Sequence, residues 1–111
     1  METLKKRKDF LRVAEGIKVV TSSVILQAAL SLCKEPVVWK VGFTTSKRLG
    51  KAHVRNRARR RLRAIVREVF PNKAKNNVEY VLVGRHNTAG VDFEILRRDL
   101  KYALDKANSQ L

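Results

Sequence analysis

Val37-Val38-Trp39-Lys40-Val41-Gly42-Phe43-Thr44-Thr45, then Ser46-Lys47-Arg48-Leu49-Gly50, then Lys51-Ala52-His53-Val54-Arg55-Asn56-Arg57-Ala58-Arg59-Arg60-Arg61-Leu62-Arg63 is one stretch with two periodicities. In its first part Val37, Trp39, Val41 and Phe43 share one face, and Val38, Lys40, Gly42 and Thr44 share the other. That alternation predicts a strand over Val37–Thr45. From Lys51 to Phe70 the pattern turns helical. At about 100° per residue, Val54, Ala58, Leu62, Ile65, Val66 and Val69 fall on one side. Asn56, Arg60, Arg63 and Arg67 fall opposite, and Pro71 is expected to stop the helix.

Upstream, Asp9–Glu15 suggests a short helix with Phe10, Val13 and Ala14 on one side, ended by Gly16. Val20–Leu32 alternates as a strand. Lys34-Glu35-Pro36 reads as a turn, so an antiparallel hairpin with Val37–Thr45 is expected. Downstream, Glu79–Gly84 reads as a strand. Asp92–Ala107 reads as a helix with Phe93, Leu96, Leu100, Ala103, Leu104 and Ala107 inside. The order helix, strand, strand, helix, strand, helix indicates an α+β fold, helices packed on a small mixed sheet. No repeat or Gly/Ser linker divides the chain, and 111 residues suit a single domain over 1–111.

The charge is lopsided. Twenty-five Lys and Arg face ten Asp and Glu, a net +15. No acidic residue occurs between Glu35 and Glu68, and six arginines crowd into the nine residues Arg55–Arg63. A solvated helix mixes signs to gain i,i+4 pairs; this one forgoes them and accepts repulsion that a polyanion would relieve. Guanidinium forks suit phosphate, and Asn56 among them can donate and accept. Ser46-Lys47-Arg48-Leu49-Gly50-Lys51 forms a basic loop where main-chain N–H groups at a helix start can add to anion binding. It lacks the nucleotide-loop spacing, since Gly50-Lys51 is followed by Ala52. A merely soluble charged face is the bland alternative. A hydrophobic content of 44% supports a packed core rather than a disordered basic tail.

Signals for other classes are weak. His53 and His86 have no partner at metal-ligand spacing, so no metal site is expected. Asp92, Glu94 and Asp99 look like capping and dipole residues at a helix start. The lone Cys33 reads as a small buried or half-buried residue. Among Phe10, Trp39, Phe43, Phe70, Tyr80, Phe93 and Tyr102, most fall on core faces; Phe10, on a short helix, is either packed in the core or a stacking platform. Lys5-Lys6-Arg7-Lys8 followed by Val19–Leu32 faintly resembles a secretory signal. Thr21, Ser22, Ser23 and Gln27 interrupt the run, and Leu32 precedes Cys33 where a small residue is needed. With no segment long enough to span a bilayer, the expectation is a cytoplasmic protein with no membrane role. On these residues a ribosomal protein, a DNA-binding architectural protein and a stand-alone nuclease all stay open.

Lys40–Gly50 followed by Ala52–Arg60 resembles the signature of the protein subunit of bacterial ribonuclease P, with Arg55-Asn56-Arg57 as its hallmark. Lys8-Asp9-Phe10 resembles that family's first helix, Glu79–Arg85 its fourth strand and Leu96–Leu104 its last helix. The resemblance implies a sheet of about four strands in the order α-β-β-(β)-α-β-α. It implies a left-handed crossover around the arginine helix, in a fold shared with a domain of a small-subunit ribosomal protein. It implies a ribonucleoprotein in which an RNA subunit, using Mg²⁺, removes the 5′ leader of precursor tRNA. The protein would bind both RNAs, supply no catalytic residue, bind no cofactor of its own and need no protein partner. Ser46, Lys47, Arg48, Lys51, Arg55, Asn56, Arg57, Arg59, Arg60, Arg63 and Arg67 would then contact RNA. Phe10 and Gln27 would lie in the leader cleft. Two positions depart from the family: Ala14 and Gln27 stand where aromatics are common. Leader contact by stacking would then be weaker, or be replaced by hydrogen bonding from Gln27.

Overall fold

The computed structural model describes residues 2–111. Its elements are β1 (Glu2–Thr3), α1 (Arg7–Ala14), β2 (Ile17–Val20), β3 (Val24–Leu30), β4 (Lys40–Thr44), a 3₁₀ turn (Lys47–Leu49), α2 (Ala52–Lys73), β5 (Val78–Gly84) and α3 (Phe93–Gln110). The sheet runs β1-β4-β5-β3-β2. It is mixed: β4 is parallel to β1 and β5, while β3 is antiparallel to β5 and β2.

The fold class is as expected, with five strands rather than about four. Two changes account for the count. Val20–Leu32 is broken at Thr21–Ser23, where Thr21 Oγ1 donates to Val24 O at 2.6 Å and makes a tight turn between β2 and β3. Glu2–Thr3 adds an edge strand too short to show a period. The expected hairpin between Val20–Leu32 and Val37–Thr45 does not form. β5 lies between β3 and β4, because its run Tyr80-Val81-Leu82 is buried on both faces and belongs at the sheet centre. The link from β3 to β4 must therefore cross the start of β5. Asn77, at φ 65°, holds that link: its N–H donates to Val37 O, its Oδ1 accepts from Val37 N–H and its carbonyl accepts from Ser31 N–H, all at 2.8 Å. Asparagine tolerates this left-handed conformation better than most residues. Val37–Trp39 is thereby drawn out of the strand, which begins only at Lys40.

α2 and α3 pack on one face. Leu26, Val41, Tyr80 and Leu82 meet Leu62, Ile65 and Phe70 of α2 and Leu96, Leu100 and Leu104 of α3 there. Pro71 does not stop α2, which continues to Lys73. Proline sacrifices one main-chain bond near the exposed end, and Ala74 N–H closes the helix on Phe70 O at 2.8 Å. α1 packs on the other face, through Val13 and Phe10 against Val81 and Val83. Ala14 is exposed, not inward. Gly42 is required at this contact, since a Cβ would lie 2.6 Å from the Phe10 ring. Arg12 ties α1 down by pairing with the buried Glu79 and donating to Leu30 O at 2.9 Å.

One sequence expectation changes in α3. Asp92 does cap it, accepting from Glu94 N–H at 3.1 Å. Asp99 does not serve the helix dipole. It is buried, and its Oδ2 accepts from Ser22 Oγ (2.8 Å), Ser23 Oγ (2.7 Å) and Ser23 N–H (3.2 Å). Burial pushes its carboxyl pKa up, but these hydrogen bonds outweigh burial and hold it below the usual range. Tyr102, outside the predicted inner face, is exposed, and Cys33 is exposed rather than buried or half-buried.

Candidate nucleic-acid interface

The interface is built on α2. Its apolar stripe fixes which way it faces: Ala58, Leu62, Ile65, Val66 and Val69 are buried, so the opposite stripe must meet solvent. Asn56, Arg60, Arg63 and Arg67 are all exposed there and, with Arg59, line one hollow. The N-terminal end adds to the positive field. Lys51 stands at the cap, no acid occupies the first turn and no side chain caps the free N–H groups. Gly50, at φ 126°, turns the chain from the 3₁₀ turn into α2, so exposed Ser46, Lys47 and Arg48 sit just before that end.

The chain's own carboxylates do not neutralise this face. Among the described residues, ion pairs link Arg12–Glu79, Lys73–Asp105, Arg97–Glu68, Arg97–Glu94 and Arg98–Asp99. None involves Lys47, Arg48, Lys51 or an arginine between 55 and 67. Glu68 is engaged with Arg97, whose hydrogen bond lowers the Glu68 pKa. Four of these five pairs lie on α2 and α3, away from the exposed arginine stripe, and the fifth ties α1 to β5.

The arginine run is not uniform. Arg61 turns inward, donating to Thr88 O at 3.1 Å and to Val91 O, with its guanidinium 5.6 Å from the Phe93 ring centre. Burial, then the neighbouring charge of Arg57, lowers its pKa, while Asp92 opposes the shift. Arg59 is half-buried and donates to Thr45 Oγ1 at 2.6 Å. Arg55 is half-buried, and its Nε finds no partner among the described residues. Arg57 is exposed. Phe10 and Gln27 lie on the same side of the sheet, both half-buried, Phe10 above β4 and Gln27 on β3 beside Val81. Sequence reasoning missed Thr3 and Leu4, which share a groove with Phe10 and Arg63. Nothing in a two-residue strand announces such a role. Among the described residues, no three His, Cys, Asp or Glu side chains converge to hold a metal, and no helix is long and apolar enough to cross a membrane.

The family model for ribonuclease P matches residues 1–108. The chain belongs to the ribonuclease P protein family. A ribonuclease P protein component from Gluconacetobacter diazotrophicus is 46% identical over 105 residues, covering 94% of this chain and 89% of that protein. One from Symbiobacterium thermophilum is 32% identical, with the same coverage of 94% and 89%. The ribonuclease P protein structure from Thermotoga maritima superposes with TM-score 0.78 at 23% identity, over 96% of this chain and 97% of that one. One from Staphylococcus aureus gives 0.76 at 22%, over 96% and 95%. The superposition confirms the α+β fold, in which α2 connects the parallel neighbours β4 and β5. The role of ribonuclease P proteins is maturation of tRNA 5′ ends, as the protein component of a ribonucleoprotein endoribonuclease.

Proposed function

We propose that this ribonuclease P protein clamps two RNAs and leaves the chemistry to one of them. The exposed stripe Asn56–Arg60–Arg63–Arg67, with Arg57 and the Ser46–Lys51 loop, binds the RNA subunit. The sheet face carrying Phe10 and Gln27 takes the 5′ leader of precursor tRNA. Hydrolysis belongs to the RNA subunit and its Mg²⁺; no side chain here is assigned a catalytic step, a metal or a cofactor. The work is done in the cytoplasm without an obligate protein partner.

One observation carries this reading: a dense guanidinium face that the protein's own acids do not neutralise. Phosphates supply the missing counter-charge, and the release of their condensed ions drives binding. Gln27 supports the leader assignment. Its amide is half-buried and uses no protein partner among the described residues. With no aromatic at 14 or 27, the face holds a leader by one ring and one amide. Sequencing the RNA that co-purifies with the chain tests the reading. Ribonuclease P RNA is expected to dominate; ribosomal RNA alone would favour the ribosomal-protein alternative.

A further inference from the structure

Arg59, Arg60 and Arg61 leave α2 in different directions. Successive residues turn by about 100°, so Arg59 and Arg61 stand on opposite flanks, roughly 200° apart, with Arg60 between them. The structure follows this arithmetic. Arg60 is exposed, whereas Arg59 and Arg61 are half-buried and hydrogen-bond within the protein. Arg59 donates to Thr45 Oγ1, one residue past the end of β4. Arg61 donates to the carbonyls of Thr88 and Val91, in the loop between β5 and α3.

The Arg61 anchor is itself held. Thr88 is fully buried; its Oγ1 accepts from Arg85 N–H at 2.7 Å and donates to Ser23 O at 2.6 Å. The Arg85 guanidinium donates to Thr21 O at 2.7 Å. Ser23 Oγ in turn donates to the buried Asp99 of α3 at 2.7 Å. A chain of hydrogen bonds thus joins α2 to the β5–α3 loop, the β2–β3 turn and α3. Hydrogen bonds are directional, whereas the apolar stripe beneath α2 is not, and by itself it resists rolling of the helix only weakly.

We propose that Arg61 is a positioning residue for RNA recognition: its fork on Thr88 and Val91, opposed by Arg59 on Thr45, fixes the roll of α2 and aims Asn56, Arg60, Arg63 and Arg67 together at the RNA subunit. Arg61 itself touches no RNA. A roll of about 10° moves a group about 6 Å from the helix axis by roughly 1 Å. On a folded RNA, whose phosphates are fixed relative to one another, that displacement lengthens several hydrogen bonds at once. A flexible single strand follows the helix and loses little. The inference rests on the RNA-binding reading of α2.

The test measures affinity of the full chain for folded ribonuclease P RNA and for single-stranded polyuridylate across a salt series. Arg61→Lys keeps the charge but cannot bridge two carbonyls. Thr88→Val removes the hydroxyl without touching α2, and Thr88→Ser keeps it. Circular dichroism at the assay temperature checks folding. Arg61→Lys and Thr88→Val are expected to weaken binding of the folded RNA about tenfold with the salt slope unchanged, and to leave polyuridylate within about twofold. Thr88→Ser should bind like the parent. A lost phosphate contact would instead lower the slope by about one unit, and a lost folded fraction would weaken both RNAs alike. Either result overturns the proposal. The unmodified chain supplies a further test that stands even if a variant fails to fold. On titration with a short RNA duplex, the Arg60 guanidinium resonance is expected to move and that of Arg61 to stay; comparable movement of both overturns the positioning role. If the parent does not bind the folded RNA, the RNA-binding reading falls and takes the proposal with it. If the parent binds and Arg61→Lys binds equally well, the positioning role alone falls.

Discussion

Replacing Arg60, Arg63 and Arg67 together by alanine is expected to weaken binding of the ribonuclease P RNA on the order of a hundredfold at moderate salt. All three are exposed on one stripe of α2, and none has a carboxylate partner among the described residues, so the folded protein loses no internal ion pair and gives up only the Arg63 guanidinium over the Phe43 ring, 5.8 Å from its centre. Their loss also removes like-charge repulsion, so stability to urea should hold or rise. The slope of log affinity against log salt should flatten by about two to three units if each contacts one phosphate. Arg61→Ala is the contrast. That guanidinium holds the carbonyls of Thr88 and Val91, so its loss should cost about 1–3 kcal/mol of folding stability and leave the salt slope alone. Filter binding across a salt series, with urea unfolding of the same variants, measures both. Equal slopes for the triple variant and the parent would remove α2 from the interface.

Phe70→Ala is expected to destabilise the fold by about 3–5 kcal/mol. Phe70 is fully buried, with ring centres 5.1 Å from Trp39 and 5.1 Å from Tyr80, both edge-on. It joins three parts of the fold: the end of α2, the segment leading into β4, and β5. Alanine leaves a cavity where these edge-to-face contacts meet, and the surrounding strands cannot close on it without breaking their register. Tyr80 is further fixed, since its hydroxyl donates to Asn108 Oδ1 at 2.7 Å and accepts from Lys75 N–H at 2.9 Å. A total stability of roughly 5–15 kcal/mol leaves little margin for such a loss. Phe70→Leu, which keeps most of the volume, should cost about 1.5 kcal/mol or less. Urea unfolding compares the two; similar small losses from both would show that the aromatic cluster is not a keystone.

The periods of β4, α2 and α3 were readable because each buries one defined face, and burial writes itself into apolar spacing; β5 was readable as a continuous apolar run, because it is buried on both faces. Strand order was not readable. Proximity in sequence favoured pairing Val20–Leu32 with Val37–Thr45, whereas the double-sided burial of β5 decided the centre of the sheet. Asn77 set the start of β4 from a distance of forty residues in the chain, through hydrogen bonds to Val37 that no local pattern reveals. The hand of the crossover came through the family resemblance, since the physical default is the opposite one. At the interface, the exposed stripe of α2 followed directly from helical geometry. The difference between outward Arg60 and inward Arg61 depends on the Thr88–Val91 loop, and the groove beside Phe10 depends on a two-residue strand. Both are tertiary facts with no local signature.

The most direct measurement of the central claim is cleavage of precursor tRNA at low Mg²⁺ by the RNA subunit alone, by RNA-free protein alone, and by the two together. The protein is expected to raise cleavage by the RNA strongly and to show none of its own, with the triple arginine variant failing to stimulate. Cleavage by the RNA-free protein, or an RNA subunit indifferent to its presence, would contradict the account.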